Sequence, residues 1–172
     1  MTDEKKQIIS DDLKNRMQEL GNRYPDFKSA IIPALWLVQN EFGYINDESV
    51  EEIARVFNVP PVHVQSVLSF YTMYHNKPVG KHLIQLCRSV SCMLVGSDEL
   101  QKKIEDYLKI IAGETTSDGV FTLITVECLG ACGDAPIIQF DNDYHEKMTW
   151  EMTKDLIDKS RNVSRLVDKG GS

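Results

Sequence analysis

The sequence has no apolar run approaching the roughly 18 residues of a membrane-spanning helix. The longest, AIIPALWLV over Ala30–Val38, contains Pro33. The N-terminus, MTDEKKQIIS, lacks the apolar centre of a signal peptide. No direct membrane insertion is expected, and a cytoplasmic location is. Positive charge is also short: 19 Lys and Arg against 26 Asp and Glu leave a net charge of −7. A general nucleic-acid footprint is therefore not expected. There is no G-x-G-x-x-G or Walker motif, so nothing supports nucleotide binding by this chain alone, and Gly170-Gly171 is no phosphate loop. There is no C-x-x-C, which disfavours a thioredoxin-type redox dithiol. His63, His75, His82 and His145 show no ligand spacing and read as surface or partly buried residues.

What is present divides into two regions. The first reads as helices. Ile9, Leu13, Met17 and Leu20 share one face, and Gly21 is a stop. Ser29 is a suitable cap for a second helix, with Pro33 near its first turn and Gly43 at its end. Asn46 or Asp47 caps a third helix, whose stripe is Val50, Ile53, Ala54 and Phe57. Pro60-Pro61 stops it and opens a fourth, with Val64, Val67, Leu68 and Tyr71 at the same spacing. The expectation is an N-terminal helical bundle over 1–78.

Asn76–Gly80 marks a boundary. His82–Cys87 and Val120–Val126 read as strands, the second rich in β-branched residues. Asp98–Ile110 reads as a helix with Ser97 as its cap. Ser117-Asp118-Gly119 is a turn. Pro136–Phe140 and Tyr144–Met148 read as short strands joined at Asp141-Asn142-Asp143. Thr149 caps a last helix from Trp150 to about Ser160. The order β-α-β-β-β-α predicts an α+β domain over 79–160, with a four-stranded mixed sheet and helices packed on it. Residues 161–172 have little core content and are expected to form a flexible tail, or a partner contact. Gly170-Gly171-Ser172 reads as an appended remnant.

The cysteines are few but patterned. Cys87 and Cys92 form C-x4-C; after 35 residues, Cys128 and Cys132 form C-x3-C. Each pair follows a predicted strand, so strands ending at one sheet edge would bring four thiols together. In a reducing compartment such a set points to metal or catalysis before disulfides. Structural zinc favours tight knuckles around one ion. A [2Fe–2S] rhomb is wider, and each iron takes two thiolates, which suits two looser pairs. Such a site carries a formal charge of roughly −2 oxidised and −3 reduced. Gly130, Ala131, Gly133 and Ala135 would let backbone N–H groups approach that charge. Arg88 and the N-terminus of the helix after Ser97 would add positive potential. Zinc, two disulfides and unrelated buried thiols remain the alternatives.

Ser49–Tyr71 has the outline of a helix-turn-helix. Its surroundings argue against DNA. Ser29–Pro78 holds Glu41, Asp47, Glu48, Glu51 and Glu52 against Arg55 and Lys77, and a DNA reader needs bases for phosphates. Glu51-Glu52 reads as a solvated helix face. A zinc-stabilised interaction module built on this segment is the more distant alternative.

The stretches AIIPALWLVQNEFGYI, VQSVLSFYTMYH, LCRSVSC and VECLGACGDAPII resemble the 24-kDa-type [2Fe–2S] subunit of NADH:quinone oxidoreductase (complex I). The resemblance runs from about Ser10 to Ser160, and related subunits occur in soluble NAD-linked hydrogenases and formate dehydrogenases. It implies a thioredoxin-like C-terminal domain and one [2Fe–2S] cluster held by Cys87, Cys92, Cys128 and Cys132. It implies docking to a partner subunit that binds NADH and FMN, with further iron–sulfur subunits beyond. The helical region would serve largely as docking surface. The complex would lie peripheral to the inner membrane. NADH turnover would belong to the partner, with no catalytic residue in this chain.

Overall fold

The computed structural model describes residues 9–169, with side chains to residue 162. Two compact units result, Met1–Pro78 and Val79–Ser172. The signal-peptide reading of the first eight residues and the remnant reading of Gly170–Ser172 fall outside the described residues.

The first unit is all helical. α1 (Asp11–Gly21) is capped by Ser10, whose hydroxyl accepts the Leu13 N–H at 3.2 Å. Asp11 and Asp12 in its first turn complement the helix dipole. Gly21 is required for packing, because a Cβ there would lie 2.2 Å from the Phe27 ring. α2 (Ile31–Phe42) ends at Gly43, which is left-handed at φ +81°. α3 (Asp47–Phe57) is capped by the Asn46 side chain, and α4 (Pro61–Phe70) opens directly after Pro60. Leu13, Met17, Leu35, Val38, Ile53, Phe57 and Val64 fill one core. The buried Gln39 amide closes the unit. It donates to the Met73 carbonyl and accepts from the His75 N–H. Ser29 does not cap α2. It lies in a 3₁₀ turn, Phe27–Ala30, where the Asp26 carboxylate already accepts the Lys28 N–H at 3.0 Å.

The second unit holds β1 (His82–Cys87), β2 (Phe121–Val126), β3 (Ile138–Phe140) and β4 (Asp143–His145) in the order β2-β1-β3-β4. β1 and β2 are parallel, and the other two pairings are antiparallel. The short helix α5 (Val90–Leu94) follows β1; it was not anticipated, since five residues carry no readable period. α6 (Ser97–Leu108) and α7 (Trp150–Lys169) contribute Leu100, Ile104, Leu108 and Ile157 to the core under the sheet. The α+β class and the four-stranded mixed sheet are as expected. Several boundaries differ. Gly96, left-handed at φ +99°, takes the capping position of α6, and Ser97 is buried inside the helix. β3 begins at Ile138, two residues after Pro136. The intervening carbonyls are used differently: that of Pro136 accepts from Met148 N–H and that of Ile137 from Cys87 N–H. The Ala135–Pro136 peptide is cis. α7 runs on to Lys169, well past Ser160. No glycine or proline interrupts 161–169, so nothing stops the helix there.

Candidate metal centre

The parallel pairing of β1 with β2 fixes the site. Cys87 is opposite Val126, so the two strands end together. The Arg88 N–H extends the ladder to the Val126 carbonyl at 3.0 Å. Cys87 is thus the last residue of β1, and Cys128 lies two residues beyond the end of β2. Each chain then folds back to supply a second thiol. After Cys87 it enters α5, which carries Cys92. After Cys128 it turns at Gly130, left-handed at φ +86°, and Cys132 opens a 3₁₀ turn, Cys132–Asp134. A left-handed residue at this point strongly favours glycine.

The two pairs have different surroundings. Cys87 and Cys92 are buried and pack with Ile137, and Leu129, Ala131 and Ala135 close over them. Cys128 and Cys132 are exposed, with their sulfurs 3.4 Å apart. The Gly130 N–H donates to Cys128 Sγ at 3.4 Å. That N–H, aided by Cys132 and the Ser89 hydroxyl, holds the Cys128 thiol below its ordinary pKa. Cys132 is pushed up by Cys128, against the opposing effect of the Ser91 hydroxyl. Burial raises Cys92, and Cys87 adds to it. The pairs also act on each other, since charge on Cys132 raises Cys92 and charge on Cys87 raises Cys132. The outer loop is tied down at its end, where Lys147 bonds Asp134 through both its ammonium (2.8 Å) and its backbone N–H (2.7 Å).

The sequence-predicted cysteines thus lie as two pairs at the ends of β1 and β2, near enough for charge on one pair to be felt by the other. Among the described residues, no three or more His, Cys, Asp or Glu side chains converge as a cage for one metal ion. The histidines lie elsewhere: His82 bonds Asp141 at 2.8 Å and stacks on Phe121. Ser89 and Ser91 were missed. Their signal was legible, because they make up half of the RSVS filler inside C-x4-C. The expected helper Arg88 is exposed, and the first turn of α6 carries Asp98 and Glu99, which oppose its positive end.

Residues 17–161 match the family model of the thioredoxin-like [2Fe-2S] ferredoxins. The chain belongs to this family. Among curated relatives, an NADH-quinone oxidoreductase subunit from Rhizobium meliloti is 42% identical over 155 residues, covering 90% of this chain and 92% of the relative. The NADH-quinone oxidoreductase subunit 2 of Thermus thermophilus is 40% identical over 161 residues, covering 92% and 89%. Among solved structures, an NAD+-reducing [NiFe]-hydrogenase chain matches with a TM-score of 0.67 at 19% identity, over 77% of this chain. This chain spans 23% of that hydrogenase chain, and the likeness is one of fold. No described helix of this thioredoxin-like ferredoxin is long and apolar enough to cross a membrane.

Proposed function

We propose that this chain holds one [2Fe–2S] cluster on Cys87, Cys92, Cys128 and Cys132 and serves as an electron-transfer component of an NADH:quinone oxidoreductase. The observation that supports the reading is that β1 and β2 run parallel and end in register, so that a pair of cysteines lies at the same end of each strand. The donor set fits the group. Two thiolates on one tetrahedral metal, each at about 2.3 Å, stand roughly 3.8 Å apart. The outer sulfurs are already at 3.4 Å, so small side-chain movements would seat one iron. The inner pair would seat the other. When bound, the cluster supplies one-electron chemistry.

The chain's own residues explain how such a group is held. The Gly130 N–H faces Cys128, and the Ser89 and Ser91 hydroxyls lie beside the outer sulfurs, so anionic thiolates are met by donors. Ile137, Leu129 and Ala131 keep water from the inner pair. Beside the site, α5 and the residue after it expose Val90, Met93, Leu94 and Val95. Contiguous apolar side chains at a redox centre suit a protein partner. We assign that partner as the NADH- and FMN-binding protein of the same complex, with NADH oxidation on the partner and one-electron exchange here. Further iron–sulfur proteins would lie beyond it, and the whole would sit peripheral to the membrane. In the helical unit, α4 exposes Val62 and Phe70, which suits a docking role there as well. The zinc-module alternative gains no support, because Arg55 is engaged by Glu51 and Glu52 and is not free for phosphates. The relatives at about 40% identity favour the quinone-linked complex. The hydrogenase likeness concerns fold.

The test is the purified protein. It should be red-brown, contain iron and sulfide, bleach with dithionite and then give an S = 1/2 EPR signal. It should also co-purify with the flavin-binding partner when the two are co-expressed. A colourless protein with stoichiometric zinc would overturn the reading.

A further inference from the structure

Cys128 and Cys132 are exposed and their sulfurs are 3.4 Å apart. Cys87 and Cys92 are 2% and 1% exposed and pack against Ile137. The same four side chains therefore offer a solvent-borne reagent one pair and withhold the other. A disulfide needs the sulfurs at about 2.05 Å. Only three residues separate Cys128 from Cys132, and one of them, Gly130, already makes the turn.

We propose that before cluster insertion Cys128 and Cys132 form a reversible disulfide by exchange with a low-molecular-weight disulfide of the glutathione class, and that this bond withholds the outer half of the ligand set until it is reduced. The proposal rests on the cluster reading above. In the first step, one thiolate of the pair attacks a sulfur of the reagent, RSSR. A protein–S–SR bond forms, the RS–SR bond breaks, and RS⁻ leaves. In the second, the neighbouring sulfur gives up its proton to solvent and attacks the protein-side sulfur of that mixed disulfide. The Cys128–Cys132 bond forms and a second RS⁻ leaves. Two protein thiols are oxidised by two electrons, and one RSSR is reduced to two RSH after protonation. The inner pair does not take part, because exchange requires access to the sulfur. A reducing compartment reverses the bond, as expected of a transient intracellular disulfide.

The experiment uses the full chain, stripped of metal anaerobically, incubated with oxidised glutathione, alkylated and mapped by mass spectrometry. The expected product has the Cys128–Cys132 peptide unalkylated and lighter by two hydrogens. Cys87 and Cys92 should alkylate on denaturation without any reductant. Cobalt(II), whose thiolate charge-transfer absorption reports bound cysteines without added sulfide, should give at least twofold less absorption with the oxidised chain. Dithiothreitol should restore it. Cys132→Ser should stop the reaction at a stable glutathione adduct on Cys128. A persistent adduct on the unmutated chain, disulfides involving Cys87 or Cys92, or unchanged cobalt binding after oxidation would each overturn the proposal. Zinc in place of iron and sulfide in the purified protein would defeat the cluster reading instead, and the thiol map would still register the disulfide.

Discussion

The two halves of the cysteine set are built from different materials. Cys87 ends a central strand, and Cys92 sits on a short helix against Ile137, so the inner half is part of a core. Cys128 and Cys132 sit on a loop of small residues, exposed and facing each other, and the outer half is part of a surface. A buried side chain serves packing whether or not it holds a metal. An exposed thiol contributes little to packing. The inner half therefore couples ligand chemistry to fold stability, while the outer half separates them.

The largest effect should come from Cys128→Ala, which removes one of four ligands. Visible absorption and the EPR signal should be lost or cut by more than tenfold. Thermal stability of the protein as isolated should fall, because a bound metal group stabilises the folded state. The metal-free variant should unfold at the same urea concentration as the metal-free parent. If Cys128→Ala kept full occupancy, the ligand assignment would be wrong. Cys87→Ser should lose the cluster too, but should also destabilise the metal-free fold. A hydroxyl would replace the thiol in an apolar site, at a cost of about 1–3 kcal/mol when it finds no partner. Equal urea midpoints for the two metal-free variants would break the contrast between the halves.

The contrast was partly legible in the sequence. Both cysteine spacings, the strand before each, and the small residues around Cys132 could be read from the chain alone. They placed four thiols at one edge because hydrophobic periodicity locates strands, and strands of one sheet share an edge. Which pair is buried could not be read. Burial of Cys92 depends on α5, five residues without a period, and on Ile137, whose carbonyl accepts the Cys87 N–H across the sheet edge. Likewise Ser97 looked like a cap, and Gly96 displaced it because a left-handed residue ends the preceding turn. The helical unit was read more fully, since Asn46, Gly43 and Pro60 each carry a strong local signal; the Ser10 cap of α1 was not read. Its one error, at Ser29, came from Asp26 taking a nearby N–H first.

A smaller effect should follow from the apolar surface beside the two pairs. Leu94 is 77% exposed on α5, one turn beyond Val90. Leu94→Glu should leave cluster content and the urea midpoint unchanged. It should weaken association with the flavin-binding partner by about tenfold, because a charge would be buried at an apolar contact. Binding to the surface-immobilised partner reports this directly. Unchanged affinity would move the docking face away from α5 and towards another surface.

The smallest effect is a difference in reactivity within the outer half. Cys128 and Cys132 are both exposed, so their rates with iodoacetamide should differ chiefly through thiolate fraction. The Gly130 N–H stabilises the charged form of Cys128, while Cys128 in turn disfavours charge on Cys132. At a pH below the ordinary thiol value, the group with the lowered pKa holds more thiolate. In the metal-free chain Cys128 should therefore alkylate first, several-fold faster near neutral pH, with its rate levelling off at lower pH than that of Cys132. The gap should close as pH rises and both become thiolates. Cys128→Ser removes the hydrogen bond to the Cys128 sulfur, and with it the charge, that together hold Cys132 up, so the Cys132 rate profile should move to lower pH. A profile for Cys132 that ignores this substitution would mean that the two outer sulfurs do not sense each other across 3.4 Å.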